Sequence, residues 1–310
     1  MIAREAIARA AARIAPHVRR TPVVDVGVAG VARPVTLKLE LLQHSGSFKA
    51  RGAFNTLLQA EGVNAGVATA SGGNHGAAVA YAARQLGHRA KVFVPEISSP
   101  AKVARIASYG AEIVQKGANY SEALALCEAH IAETGAISVH AYDSEATLEG
   151  QGTLARELKA QAPGLDTLLV AVGGGGLIGG IAAWYQSNVK VVGVEPVTCN
   201  TLHASLAAGE RVPIKPSGLA ADALGASTVG QLMFGIARDH ISGVALVSDD
   251  DIRAAQRWLW REMQLVTEPG GAAAFAGLLS GAYTPEQDER IGVVVCGANT
   301  SMDVFGQLFS

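Results

Sequence analysis

The sequence predicts an α/β fold in which mostly parallel, twisted sheets are covered by helices. Short apolar runs alternate with Ala-rich segments of helical periodicity almost throughout the 310 residues. Several of these runs end in glycine-rich turns that lead into a helical segment. Aromatic residues make up only 5% of the chain, and this low content favours helices packed closely on sheets over an aromatic-rich β-sandwich.

The expected strands are short apolar runs bounded by turn residues. They lie at 36–40, 67–70, 91–94, 112–115, 137–140, 167–172, 189–194, 244–247 and 291–296. Helical segments separate most of them, for example 75–86, 99–109, 121–133 and 249–263. The last of these helices begins with three aspartates, which suit the positive end of a helix. Strands that alternate with helices imply βαβ units and parallel sheets.

The rhythm of these elements predicts two domains, because no Pro- or Ser-rich linker marks a boundary. Regular βα repeats between about 58 and 143 indicate a small α/β domain, inserted into a large domain made of 1–57 and 144–310. The stretch 197–230 contains two prolines and little periodicity, so we expect a loop over a site there.

Composition excludes several classes of function. A net charge of −2 without a basic block gives no electrostatic reason to expect nucleic acid or an anionic membrane as partner. The apolar runs are too short to span a bilayer. The first twenty residues mix Ala, Ile and Arg as transit peptides do, but Glu5 and the helical spacing of Ile7 and Ile14 favour a surface helix. Three widely spaced cysteines without a CxxC motif indicate a reducing compartment, so we expect a cytoplasmic protein.

The first of four notable turns covers 45–53, with the sequence SGSFKARGA, and follows a predicted strand. Gly46 and Ser47 permit a tight turn and a helix N-cap. Lys49 then lies in the first helical turn, where the positive end of the helix dipole lowers the pKa of its amine. A neutral lysine is what imine chemistry requires. On position alone, a solvated helix lysine is the commoner situation.

The second turn, TASGGNHG at 69–76, leads from a strand into an Ala-rich helix. Small residues there expose backbone N–H groups that bind a carboxylate or phosphate. Asn74 is suited to bind a phenolic or carboxylate oxygen, although it is equally suited to be a helix cap. His75 has no partner at metal-site spacing, which favours a structural role when it is considered alone.

The third turn contains four successive glycines after a buried strand, Gly173, Gly174, Gly175 and Gly176. Their bare backbone allows a phosphate to approach the start of the next helix. The run also satisfies the dinucleotide pattern G-x-G-x-x-G, with Glu195 placed to bind a ribose, so both interpretations remain open.

The fourth turn, CGANT at 296–300, places Cys296 at the end of a strand, where it either points into a cleft or is a small buried hydrophobe. Taken together, the four turns supply an imine-forming lysine, a carboxylate cradle, a phosphate cup and a hydrogen-bonding sulfur. These are the parts that pyridoxal phosphate needs when it binds an amino acid.

From 20–22 to the Cys296 turn, the chain resembles the serine/threonine dehydratase family of fold-type II pyridoxal-phosphate enzymes, which is related to serine racemase. The motif SGSFKxRGA at 45–53 is highly specific, and SGGNHG and GGGG follow in the family's order. The resemblance implies a two-domain fold like that of tryptophan synthase β, pyridoxal 5'-phosphate as cofactor, a homodimer and a role as a lyase in amino-acid metabolism.

The resemblance also implies roles for individual residues. Lys49 holds the cofactor as an imine, Phe48 flanks the pyridine ring, Cys296 faces the ring nitrogen and Glu268 lies near the ring. Asn74 binds the 3'-oxygen, and the four glycines at 173–176 bind the phosphate. The implied residues for the substrate carboxylate are Ser71, Gly72, Gly73, Asn74 and His75.

Two positions depart from relatives in the family. Racemases have a second serine, as acid and base on the opposite face of the substrate, where this chain has Gly72. Members that bind a divalent cation have an acidic residue six positions after the glutamate that matches Glu195, and here that position is Thr201. We therefore expect no metal.

The expected reaction is β-elimination from L-serine- or L-threonine-like 3-hydroxy amino acids, which gives a 2-oxo acid and ammonia. The alternatives are a β-replacement synthase, disfavoured because Ala50 replaces the usual Asp after the lysine, and a racemase, disfavoured by Gly72. A non-catalytic binding protein and a nicotinamide enzyme are the remaining alternatives. The sequence does not distinguish serine from threonine or a bulkier substrate.

Overall fold

The computed structural model describes residues 2–61 and 63–309 and contains two sheets. The larger sheet has the strand order β1-β2-β10-β7-β8-β9. Its strands are β1 (Val23–Val26), β2 (Val35–Lys38), β7 (Thr167–Ala171), β8 (Lys190–Pro196), β9 (Ile241–Val247) and β10 (Ile291–Val294). All neighbours pair in parallel except β1 and β2, which are antiparallel. Strand β1 was not predicted from the sequence.

The smaller sheet is entirely parallel and has the order β5-β4-β3-β6. Its strands are β3 (Val67–Ala70), β4 (Ala90–Val94), β5 (Glu112–Gln115) and β6 (Ile137–Ser138). The two sheets, with strands separated by helices, confirm the predicted α/β fold. β3 and β5 have the predicted bounds, whereas β6 ends two residues early.

Helices occupy most of the segments between the strands. They are α1 (Arg4–Ile14), α2 (Lys49–Gln59), α3 (Asn74–Gln85), α4 (Pro100–Ser108), α5 (Tyr120–Thr134), α6 (Glu145–Gln161), α7 (Gly176–Tyr185), α8 (Thr201–Ala208), α9 (Ala221–Leu224), α10 (Gln231–His240), α11 (Asp249–Met263), α12 (Pro269–Leu279) and α13 (Met302–Gly306). In α11, predicted with these bounds, Ser248 and Asp251 form a capping box. No helix among the described residues is long and apolar enough to cross a membrane.

Two main hydrophobic clusters hold the elements together. The larger surrounds the six-stranded sheet, where α7 and α12 both contact β7. The second contains Phe54 of α2 and Ala78 of α3 together with Val92 of the smaller sheet. Because α2 also packs against α6, it lies between the two clusters. All four strands of the smaller sheet fall within 58–143, but the proposed domain boundaries stay a prediction.

The expected loop at 197–230 is partly wrong, because α8 and the short α9 form within it. The start of α8 is fixed by a residue outside it. Both carboxylate oxygens of Glu195 accept backbone hydrogen bonds, from Leu202 and His203, at 2.8 Å. This contact satisfies two of the free N–H groups that every helix has at its start.

Candidate active site

Lys49 is the first residue of α2, as the motif predicted. Its Nζ donates a 2.6 Å hydrogen bond to the carbonyl of Ala141 and lies 5.2 Å from the centre of the Phe48 ring. Burial lowers the pKa of its amine to about 8, because the charged form loses hydration. The expected cap is wrong: Phe48 occupies the N-cap position, and the buried Ser47 hydroxyl has no partner among the described residues.

The turn before Lys49 is held by side chains from two distant segments. The Ser45 carbonyl accepts hydrogen bonds from Asn299 Nδ2 at 2.9 Å and from Arg105 Nη2 at 3.3 Å. Gly46 has φ +75°, and a Cβ there would collide with both the Asn299 and the Arg105 side chains. The position therefore requires glycine for its backbone conformation as well as for space.

The second turn leads into α3, which begins at Asn74. The Asn74 amide donates to Glu268 Oε1 at 2.6 Å and accepts from Asn299 Nδ2 at 2.5 Å. Among the described residues, the backbone N–H groups of Gly72, Asn74 and His75 have no partner, which leaves them available to an anion. The Gly73 N–H donates to the Ser71 hydroxyl at 3.3 Å.

The ring of His75 has a separate role. Its Nε2 bonds to the Val139 carbonyl at 2.8 Å, and burial together with nearby Lys49 lowers the pKa of the imidazole to about 3. The ring is therefore neutral and holds the strand end that precedes Ala141. Only the backbone N–H of His75 remains for a substrate carboxylate.

The four glycines join β7 to α7, which begins at Gly176. None of the four backbone N–H groups has a partner within the described chain. A Cβ at Gly174 would overlap the ring of Tyr142, and one at Gly175 would overlap Met233. The run thus forms a cup of free N–H groups at a helix start, which suits a phosphate.

Glu268 lies close to the Cys296 turn, because a Cβ at Gly297 would overlap its carboxylate. The Cys296 thiol is buried, donates to the Gly270 carbonyl at 3.4 Å and has a strongly raised pKa, because of burial and then the charge of Glu268. Burial also raises the pKa of the Glu268 carboxyl to about 7, although Asn74, Lys102 and Arg105 oppose this shift. The Cys296 thiol is therefore neutral at pH 7, whereas the Glu268 carboxyl is about half protonated there.

The fold joins the first, second and fourth turns directly, and the loop with Ala141 and Tyr142 links Lys49 to the glycine run. The Phe48 N–H donates to the Cys296 carbonyl at 3.2 Å, and Asn299 of the fourth turn contacts both the first and second turns. Sequence reasoning missed Ala141, Tyr142, Arg105 and Asn299. Asn299 lay within a predicted turn and could have been found there. Ala141 and Tyr142 lie in a loop without a motif, and the Arg105 position is an ordinary one in an amphipathic helix.

Two positions considered above for a ribose or a metal ion, Glu195 and Thr201, bond to other groups of the protein. Glu195, considered as a ribose ligand, is bound to the start of α8, and burial raises its pKa to about 7. Thr201 donates to the Ala226 carbonyl at 3.2 Å. No cluster of three metal-binding side chains occurs within residues 2–61 and 63–309.

The site fits pyridoxal phosphate. The glycine cup provides free N–H groups for its phosphate, and Lys49 provides an amine that loses its proton near neutral pH. Three buried polar atoms around the Lys49 turn, on Ser45, Ser47 and Asn299, have no partner in the described part of the chain. Such atoms are costly unless a ligand or water satisfies them.

Comparison with known proteins identifies the family. The sequence profile described as "Pyridoxal-phosphate dependent enzyme" matches residues 14–297. The chain is 39% identical to the phenylserine dehydratase of Ralstonia pickettii, over 97% of this chain and 94% of the relative. The structure of maize serine racemase superposes with a TM-score of 0.93 at 32% identity, covering 99% of this chain and 97% of that one. A bacterial L-threonine ammonia-lyase, from Geobacter sulfurreducens, is 35% identical over 92% of this chain and 73% of the relative.

The family match extends over most of the chain, and the superposed racemase has the same fold over nearly its whole length. A solved threonine deaminase superposes equally completely, with a TM-score of 0.90 at 34% identity, covering 97% of this chain and 99% of that one. The chain therefore belongs to the pyridoxal-phosphate dependent enzymes of fold type II, related to serine/threonine dehydratases and serine racemases, and its cofactor is pyridoxal 5'-phosphate.

Proposed function

We propose that this enzyme is a serine/threonine dehydratase, which converts L-serine- or L-threonine-like 3-hydroxy amino acids into a 2-oxo acid and ammonia. The relatives include dehydratases and racemases, so the family alone does not decide between them. Gly72 is the observation that favours a dehydratase over a racemase. It provides no side chain to act as the second acid or base that racemisation needs on the far face of the substrate.

Lys49 is the proposed base and the residue that holds the cofactor. Its amine, with a pKa of about 8, can take the proton from the α-carbon of the substrate near neutral pH. When bound, pyridoxal phosphate supplies the electron-withdrawing ring that weakens bonds at that carbon. The hydroxyl on the neighbouring carbon then departs as water, and the product hydrolyses to the 2-oxo acid and ammonia.

The remaining residues bind and orient. Free N–H groups at the start of α3 receive the substrate carboxylate, and those of the glycine cup receive the phosphate. Phe48 and Asn74 position the ring and its 3'-oxygen. Cys296 remains a neutral thiol and therefore provides no negative charge to keep a proton on the ring nitrogen. Weaker stabilisation of charge on the ring favours prompt loss of the hydroxyl over racemisation.

Incubation of the enzyme with L-serine in deuterated water tests this proposal. We expect pyruvate to form with little deuterated D-serine, as separated by chiral chromatography. Formation of D-serine at a rate comparable to that of pyruvate would identify a racemase instead. L-threonine and bulkier 3-hydroxy amino acids, assayed for 2-oxo acid release, establish the substrate range.

The role of Lys49 is tested separately. Borohydride reduction followed by peptide mapping is expected to place the pyridoxyl group on this lysine. An adduct on another lysine would refute the assignment. Lys49→Ala is expected to abolish elimination, whereas Lys91→Ala, which removes a lysine that pairs with Glu112 in the smaller sheet, serves as the control.

A further inference from the structure

Arg105 of α4 lies beside the candidate active site without a charged partner. Its Nη2 donates one long hydrogen bond, 3.3 Å, to the Ser45 carbonyl, and its buried Nε has no partner among the described residues. No carboxylate in the described chain lies within ion-pair distance of it. A buried donor that is left unsatisfied destabilises the protein, so the arrangement favours an anionic ligand.

The acids around the site are engaged elsewhere. Glu268 accepts from the Asn74 amide, and Asp222 of α9 forms an ion pair with Lys102, one helical turn before Arg105. The guanidinium of Arg105 contributes to the electrostatic environment of Glu268 without a hydrogen bond to it. Within residues 2–61 and 63–309, Arg105 is therefore a cation without an ion pair, close to the place where the cofactor and substrate bind.

The surroundings of the Arg105 guanidinium are polar and adjoin the candidate site. The Oδ1 atom of Asn299 is buried and unpaired among the described residues. Asn299 and Arg105 both lie next to the position that a Cβ on Gly46 would occupy. Asn299 in turn donates to Asn74, at the start of the substrate-binding turn. A planar guanidinium is well suited to bind a carboxylate through two parallel hydrogen bonds.

The carboxylate on the α-carbon already has its own donors. The N–H groups of Gly72, Asn74 and His75 have no partner in the described chain and lie at the positive end of α3. One carboxylate satisfies these donors. The separate guanidinium of Arg105 therefore indicates a second carboxylate on the ligand. We propose that Arg105 binds a side-chain carboxylate of the substrate, so that the enzyme accepts 3-hydroxy amino acids with a carboxylate on the carbon that bears the hydroxyl.

This inference rests on the proposed function and specifies its substrate. With 3-hydroxyaspartate, the C2–H and C3–O bonds break, a C2–C3 double bond forms, and the hydroxyl leaves as water. Tautomerisation and hydrolysis consume one water and release ammonia and oxaloacetate, so the net reaction needs no oxidant or reductant.

Binding is the first test, because it does not depend on turnover. L-Aspartate and L-asparagine have nearly the same shape but differ in side-chain charge, and neither has a hydroxyl to eliminate. Titration of the holoenzyme, followed by the visible absorbance of the cofactor, gives their dissociation constants. We expect L-aspartate to bind more tightly. Arg105→Met is expected to weaken the binding of L-aspartate alone, by about tenfold to a hundredfold in the dissociation constant.

Arg105→Lys, which keeps the charge, is expected to restore part of the affinity for L-aspartate. Arg84→Met is the matched control, because Arg84 is an exposed residue of α3 whose side chain donates to the Ser108 carbonyl. A thermal melt of each variant establishes that it is folded. Equal affinity of the parent enzyme for L-aspartate and L-asparagine would overturn the proposal.

Kinetics provide the second test. Arg105→Met is expected to lower kcat/KM for 3-hydroxyaspartate by a much larger factor than kcat/KM for L-serine. An equal loss for both substrates would mean that Arg105 binds the α-carboxylate, which contradicts the proposal. If the parent eliminates L-serine but shows no preference for diacids, this inference fails alone. If it eliminates nothing but binds L-aspartate through Arg105, the dehydratase function fails alone.

Discussion

Among single residues, Lys49 has the property on which the proposed chemistry depends most. Its amine is expected to titrate with a pKa of about 8, well below the ordinary 10.5, because burial disfavours the charged form. Only the neutral amine is nucleophilic, so the reaction of the cofactor-free protein with trinitrobenzenesulfonate should accelerate as pH rises through 8. Subtraction of the rate measured for Lys49→Arg isolates this lysine. A midpoint near 10.5 would contradict the prediction.

Gly72 is the residue on which the choice of elimination over racemisation rests. A Cβ at Gly72 would lie 2.5 Å from the Ser98 hydroxyl, so a serine there needs Ser98 to move. We expect Gly72→Ser combined with Ser98→Ala to form D-serine from L-serine faster than the parent, because it provides the missing acid. Ser98→Ala alone is the control. An unchanged rate in a folded double variant would show that racemisation needs more than a hydroxyl on the substrate face opposite Lys49.

At the scale of elements, α2 depends on a buried charge network as well as on apolar packing. Arg51 is 1% exposed and bonds to Glu40 at 2.6 Å and to Glu157 at 3.1 Å. Lys38 also bonds to Glu157, at 2.5 Å. The guanidinium thus fixes the helix that begins with Lys49 to the segment that follows β2 and to α6.

Arg51→Met is expected to reduce the free energy of unfolding by about 3–5 kcal/mol, because it leaves Glu40 buried without its cation. Glu40→Met combined with Arg51→Met should cost less than the sum of the two single changes. Urea unfolding of the three variants measures this. Additive losses would show that the two side chains do not act as a pair.

The turn between β7 and α7 is the element that we propose to bind the phosphate. Gly174→Asp adds a negative charge and a side chain that overlaps Tyr142, so we expect cofactor affinity to fall by at least about tenfold. Gly235→Asp on α10 is the matched control, because a Cβ there meets no atom within 4 Å. Equilibrium dialysis with pyridoxal phosphate measures both. Parent-like affinity of Gly174→Asp would mean that the phosphate binds elsewhere.

The sequence predicted those elements whose cause is local. Regular strands and the turns with Lys49 and the four glycines are continuous in sequence, and therefore they could be identified. β1 was missed because it is a short, half-exposed edge strand, which has little periodicity. The α8 helix was missed because its start is fixed by Glu195, on another element. Arg105 reaches the site only through tertiary packing, which no local pattern encodes.

On the scale of the whole molecule, the homodimer implied by the family resemblance stays a prediction. Sedimentation velocity of the holoenzyme is expected to give twice the chain mass of 31.8 kDa. Dilution should separate the subunits if their contact is weak. A single species with the mass of one chain over the whole concentration range would contradict the predicted homodimer.

The strand order of the larger sheet has a consequence for protein synthesis. β2, which precedes Lys49, pairs with β10, which precedes Cys296 and is the last of the described strands to be synthesised. At ordinary elongation speeds, roughly ten to fifty seconds separate the synthesis of Lys49 from that of Cys296. During that interval the nascent chain lacks the central strand of its sheet and one wall of its site. We therefore expect the cofactor to bind fully only after β10 has been synthesised, and a chain truncated before β10 to leave the site incomplete.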